Sequence, residues 1–98
     1  MILTTSNDQQ VVNQIANKLL ETGLAACIQV DNITSYFKWE GKISTQLEYR
    51  VVVKAKSTDY RKIEKLITTL HNYDLPQIIK LEIQDGLTEY LNWIMQGI

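Results

Sequence analysis

Cysteine and proline each occur once in the 98 residues, as Cys27 and Pro76. A single cysteine forbids an intrachain disulfide and cannot supply a cysteine-only zinc site within one chain. No charge of one sign dominates, since ten Lys and Arg face eleven Asp and Glu for a net charge of −1. There is no basic excess to follow a phosphate backbone, so a nucleic-acid partner is not expected. No apolar run approaches the roughly 18 residues of a membrane span, and no membrane partner is expected. The stretch Met1 to Thr5 has neither a basic segment nor a long apolar one. It does not resemble a signal peptide, and a cytoplasmic location is expected. Repeats, low-complexity stretches and linkers are also missing. What remains, 45% apolar and 21% charged residues, is the composition of one globular domain spanning residues 1–98.

Hydrophobic periodicity divides the chain. Met1 to Thr5 suits a strand, and Ser6-Asn7-Asp8-Gln9 has the form of a capping box. Val11, Val12, Ile15, Ala16, Leu19 and Leu20 then fall on one helical stripe, which Gly23 should end with a positive φ. From Leu24 to Lys56 the period becomes two, turning only at Glu40-Gly41-Lys42, with a bend or bulge expected at Asp31-Asn32. The first arm, Leu24 to Trp39, would reach about 50 Å at roughly 3.3 Å per residue. Such a hairpin must bend sharply or project beyond its own core. Ser57-Thr58-Asp59 should cap a second helix with Tyr60, Ile63, Leu66, Ile67 and Leu70 on its apolar side, ending near His71-Asn72. Gln77 to Gln84 follows as a strand with Ile79, Leu81 and Ile83 on one face. Leu87, Tyr90, Leu91 and Ile94 mark a short last helix, beyond which Gly97 should fray. The order is that of an α+β, ferredoxin-like βαββαβ fold with a long central hairpin and a short C-terminal helix.

Two features predict more than one copy. Val51, Val52 and Val53 place apolar side chains on both faces of one strand, whereas two helices cover only one face. The overlong hairpin also offers edges that a partner could complete, and closed cyclic symmetry meets both needs.

The text Gly23-Leu24-Ala25-Ala26-Cys27-Ile28, then Ser35-Tyr36-Phe37-Lys38-Trp39-Glu40-Gly41-Lys42-Ile43, resembles the divalent-cation tolerance family, CutA. Glu48, Lys54, His71-Asn72-Tyr73-Asp74-Leu75-Pro76 and Tyr90-Leu91-Asn92-Trp93-Ile94 extend the resemblance over the whole chain. It implies a homotrimer whose hairpins clasp neighbouring subunits and, more distantly, the architecture of PII-type signal proteins. It also implies a role in the response to metal ions, with copper or another divalent cation as the candidate ligand. Departures are visible. Asn72, Asp74 and Gln77 stand where the family usually has Pro, Glu and Glu. Thr4 stands where some members have cysteine, and Leu70 where some double the histidine.

His71 and Cys27 are the candidate metal ligands, joined only by the two methionines as soft or borderline donors. Two donors cannot complete a tetrahedral site, so several copies would have to share it. The plainer roles are a small buried hydrophobe for Cys27 and a helix-end residue for His71. Glu40, Glu48, Asp74 and Glu82 form no acid–base pair at a defensible spacing, and phosphate-binding or zinc-protease motifs are missing, so no enzyme is expected. Tyr36, Trp39 and Tyr73, with Glu48 and Lys54, are the candidate lining of a ligand cleft between subunits. Aromatic residues in that pattern serve equally well as interface anchors.

Overall fold

The computed structural model describes residues 1–96. Gly97, the expected fraying position, lies outside the described residues. The order of elements is β1 (Ile2–Ser6), α1 (Gln9–Glu21), β2 (Cys27–Trp39), β3 (Lys42–Lys54), α2 (Tyr60–Leu70), β4 (Ile78–Lys80) and α3 (Thr88–Met95). A single 3₁₀ turn, Ser57–Asp59, leads into α2. The four strands form one antiparallel sheet in the order β2-β3-β1-β4.

Both main helices bury most of the stripes that their spacing predicts, with Leu20 of α1 left exposed. Val12, Ile15 and Leu19 of α1 pack with Ile63 and Ile67 of α2 over Ile2, Val51 and Val53 of the sheet. The start of α1 differs from the capping box. Asp8 is the N-cap, its carboxylate accepting from the amides of Gln10 at 2.9 Å and Val11 at 3.4 Å. Ser6, still on β1, instead accepts from the Asp8 amide. Two short polar residues two positions apart compete for the cap, and the carboxylate wins with the stronger charge-assisted bonds. At the other end Gly23 has φ 72, with Leu24 N–H bonding Leu19 carbonyl and Gly23 N–H bonding Leu20 carbonyl. This is a Schellman cap, in which glycine takes the left-handed position without strain. No side-chain cap starts α2; the 3₁₀ turn replaces the cap expected from Ser57 to Asp59.

The hairpin is straight in register. Thirteen consecutive pairs run from Cys27↔Lys54 to Trp39↔Lys42, so Asp31-Asn32 forms neither a bulge nor a break. Asp31 instead pairs across the ladder with Arg50, whose Nη2 lies 2.8 Å from its carboxylate. Thirteen residues span about 40 Å, close to the 45 Å longest dimension of the molecule. Of the two alternatives, the hairpin projects. Its outer half leaves Tyr36, Ile43 and Leu47 between 75 and 78% exposed.

The sheet's second face is less covered. Leu3 pairs with Val52 and Ile79, a row on the side opposite Ile2 and Val53, and Ile79 is exposed. β4 is three residues long rather than eight. Pairing with β1 goes no further than Leu81 with Met1, which exchange backbone hydrogen bonds. The alternating Ile79, Leu81 and Ile83 therefore lie exposed, and Ile78 is the residue that packs on the core. In α3 the stripe narrows to Ile94 as its buried residue, and Leu87 is the exposed N-cap. No helix among the described residues is long and apolar enough to cross a membrane.

Candidate functional site: an aromatic groove with an acidic floor

The chain that leaves α2 is tied to the C-terminal end of β1 by side chains. His71 is the C-cap of α2. Its Nδ1 accepts the Tyr73 backbone N–H at 3.0 Å, so Nε2 carries the proton and donates to the Thr5 carbonyl at 2.8 Å. Asn72 works alongside, its Oδ1 accepting the Ser6 hydroxyl at 2.7 Å and its Nδ2 donating to Asn7 Oδ1 at 2.8 Å. Together these bonds fix Tyr73, whose ring lies 4.9 Å from that of His71. The Tyr73 hydroxyl donates to Glu48 Oε2 at 2.7 Å. Burial, and then that bond, hold the phenol well above its ordinary value of 10.0.

This loop and the hairpin enclose a groove of about 760 Å³. Phe37 and Trp39 alternate along β2 and share a face with Gln46 and Glu48 of β3. Tyr73, Asp74 and Leu75 form the opposite wall, and Tyr36 also lines the groove. Four of the five expected cleft residues, Tyr36, Trp39, Glu48 and Tyr73, line this groove, but they are strung along it: Trp39 stands opposite Lys42, six residues of β3 from Glu48. Lys54 lies outside it. Six residues separate it from Glu48 along β3, about 20 Å of extended chain. Its Nζ donates to the Tyr90 hydroxyl at 3.1 Å and sits 5.1 Å from that ring's centroid. It lines a second hollow, beside Glu82, Asp85 and Tyr90.

The two candidate metal ligands are also apart. Cys27, half-buried, stands opposite Lys54, whereas Thr5, against which His71 rests, stands opposite Arg50. Four residues of β3 and two strand spacings lie between them, about 13 Å by 10 Å. Both ring nitrogens of His71 are engaged by backbone groups. Among the described residues no group of three or more His, Cys, Asp or Glu side chains gathers as a metal would require. Thr4 is buried on the helix-covered side of the sheet, and its hydroxyl has no partner.

Ser6, Asn7 and Asn72 are the contributors that sequence reasoning missed. Their bonds link residues about 65 positions apart, which local spacing does not mark.

A sequence profile of the CutA1 divalent ion tolerance protein family matches residues 1–97. The chain belongs to the CutA1 family. The divalent-cation tolerance protein CutA of Archaeoglobus fulgidus is 37% identical over 97 residues, covering 99% of this chain and 95% of that protein. Its solved structure superposes with a TM-score of 0.93 at 35% identity, covering 98% of this chain and 94% of the other. CutA1 from the psychrotrophic bacterium Shewanella sp. SIB1 gives a TM-score of 0.93 at 36% identity, covering 98% and 91%. These likenesses support the α+β class, a CutA subunit with a four-stranded antiparallel sheet, and a family named for divalent-ion tolerance rather than for a catalysed reaction. They overturn the cytoplasmic expectation. The A. fulgidus structure is described as periplasmic, and an Arabidopsis thaliana CutA, 28% identical over 95 residues, as chloroplastic. Relatives are described from more than one compartment, so the composition of Met1 to Thr5 does not assign one.

Proposed function

We propose that this CutA1 chain serves divalent-cation tolerance as a non-catalytic homotrimer whose subunits are held by the projecting β2–β3 hairpins. The observation that supports this reading is the hairpin itself. Its outer half leaves Tyr36, Ile43 and Leu47 exposed, and clustered exposed apolar side chains mark interaction surfaces. The row of Leu3, Val52 and Ile79 gives the sheet's second face the same need for cover. Copper or another divalent cation is bound weakly and only across a subunit boundary, since one subunit does not gather a ligand set. Cys27 is the donor with no side-chain hydrogen bond in its way, and it suits copper(I). His71 contributes at the cost of one of its backbone bonds. A competition titration with a copper(I) chelator tests this. Cys27→Ser should remove most of the binding while the sedimentation mass stays that of the trimer. Unchanged affinity would reject the thiolate.

A second reading has its own observation. The groove lined by Tyr36, Trp39, Glu48 and Tyr73 supports a small-molecule site of the kind that PII-like trimers place between subunits. Thermal shift would reveal it, because a ligand at 100 times its dissociation constant adds about 2.7 kcal/mol.

A further inference from the structure

We propose that the open groove between α1 and α2 docks an acidic, amphipathic segment of another protein, with apolar side chains entering the groove and carboxylates meeting Lys18, Lys62 and Lys65. None of the groove's residues belongs to the hairpin or to the row of Leu3, Val52 and Ile79, so it is separate from the surfaces given above to assembly.

This groove holds about 340 Å³. Leu66 and Leu70, one turn apart on α2 and half-buried against the core, supply its apolar lining. Lys62, Lys65 and Thr69 of α2 line it as well, and Lys18 lines it from α1. The Thr69 hydroxyl is spent on the Lys65 carbonyl at 2.8 Å. The polar side chains left for a partner are therefore three ammonium groups, with no Asp or Glu in the lining. Ion pairs among the described residues join Arg50 to Asp31, Arg61 to Glu64 and Lys80 to Glu82, and none engages these three lysines. Glu64 of α2 is held instead by Tyr60 and Arg61.

Local stability does not call for this pattern. Lys62 lies in the first turn of α2, where the helix dipole disfavours a cation, and no acid occupies that turn. Lys62 and Lys65 are three positions apart, a spacing at which like charges oppose the helix. A surface that breaks two local rules without a compensating contact points to an interaction. The leucines and the charges together choose the occupant. A nucleic acid answers the lysines but not the leucines, and the lining offers no aromatic ring for a base. A flat anionic bilayer meets the lysines but leaves the recessed leucines uncovered. A single fatty acid carries one charged group, whereas Lys62 and Lys65 lie about 5–6 Å apart at their Cβ atoms and Lys18 stands on the other helix. An amphipathic peptide carries several carboxylates beside apolar side chains at i and i+4, the spacing of Leu66 and Leu70, and apolar grooves take such segments.

The test uses fluorescently labelled peptides of about 16 residues, roughly four helical turns, titrated into the full chain and followed by anisotropy. The methyl resonances of Leu66 and Leu70 report where each peptide binds. The first peptide has leucine at i and i+4 flanked by glutamates; a second replaces the glutamates with lysine, and a third replaces the leucines with serine. The expected result is saturable binding of the first that moves both methyls and weakens with added salt, with about tenfold or more weaker binding of the other two. Lys62→Glu combined with Lys65→Glu should weaken the first peptide by a similar factor. Its Tm should stay at or above that of wild type, because an acid at position 62 suits the start of α2. Equal binding of the serine peptide makes the groove a merely charged surface and overturns the proposal, as does equal binding of the lysine peptide. Binding that moves signals only elsewhere overturns it too. If no peptide binds while phosphatidylglycerol vesicles bind wild type and not the doubly substituted protein, the surface meets a membrane and the proposal falls. Failure of every probe overturns it likewise.

Discussion

Tyr73→Phe removes one oxygen atom and isolates the bond on which the groove depends. The hydroxyl donates at 2.7 Å to a carboxylate on a largely buried residue, so the loss strips Glu48 of its one hydrogen-bond donor among the described residues. A hydrogen bond to a charged group contributes about 1.5–3 kcal/mol, and most of the loss is the desolvation of the partner left behind. For a chain of this length each kcal/mol moves Tm by about 4–8 °C, so a fall of about 6 °C or more is expected. Removing both partners should cost less than removing the hydroxyl alone. In Tyr73→Phe with Glu48→Met no buried polar atom is orphaned, and stability should return towards wild type. The assay is urea unfolding at one fixed protein concentration, because the proposed association would contribute to the measured stability. The same pair has an alkaline signature. The folded state holds the Tyr73 phenol above its unfolded value of 10.0, so the folded protein binds the extra proton there. Its contribution is fully present below that value and is lost as pH rises through and beyond it, a loss that Tyr73→Phe should not show. A Tyr73→Phe variant within about 0.5 kcal/mol of wild type, or a double variant as weak as the two losses summed, would refute the reasoning.

Three further outcomes follow from local geometry. Glu40 and Gly41 both have positive φ, 51 and 76, which makes the hairpin tip a two-residue turn of the type that favours Asn-Gly. Glu40→Asn should therefore stabilise by up to about 1 kcal/mol, and Gly41→Val should destabilise by about 1–2 kcal/mol although no atom lies within 4 Å of the added Cβ; melting curves of the two variants check both signs. Asp8→Ala should cost about 1 kcal/mol through the lost cap of α1, with amide exchange at Gln10 and Val11 rising first. Thr4→Val replaces a buried hydroxyl that has no partner with a methyl group of similar shape, and should raise the urea midpoint by the equivalent of about 1 kcal/mol.

Much of the fold was legible because periodicity is set by the burial that produces it. Ile15, Leu19, Ile63 and Ile67 repeat at helical spacing and are fully buried. The misses have separate causes. Ile79, Leu81 and Ile83 alternate like a strand face, yet a strand exists only as far as its neighbour pairs with it, and the β1 pairing covers Ile78 to Lys80. Asp31-Asn32 looks like an interruption by residue type, but the Arg50 guanidinium opposite makes Asp31 a sound ladder residue. Tyr36, Trp39, Glu48 and Tyr73 line one groove because the hairpin and the loop after α2 lie side by side. Lys54 was grouped with them by family position alone, and six residues of extended chain carried it away. The links from Ser6, Asn7 and Asn72 span about 65 positions, as do those of His71 to Thr5, and no local pattern encodes such distant pairs.

Sedimentation equilibrium across low micromolar concentrations tests the central claim, that the projecting hairpin exists to hold subunits together. The account predicts a single folded species of three times the chain mass, with Leu47→Asp on the outer hairpin shifting it towards smaller, less stable species. A well-folded monomer of wild-type chain at those concentrations would contradict it.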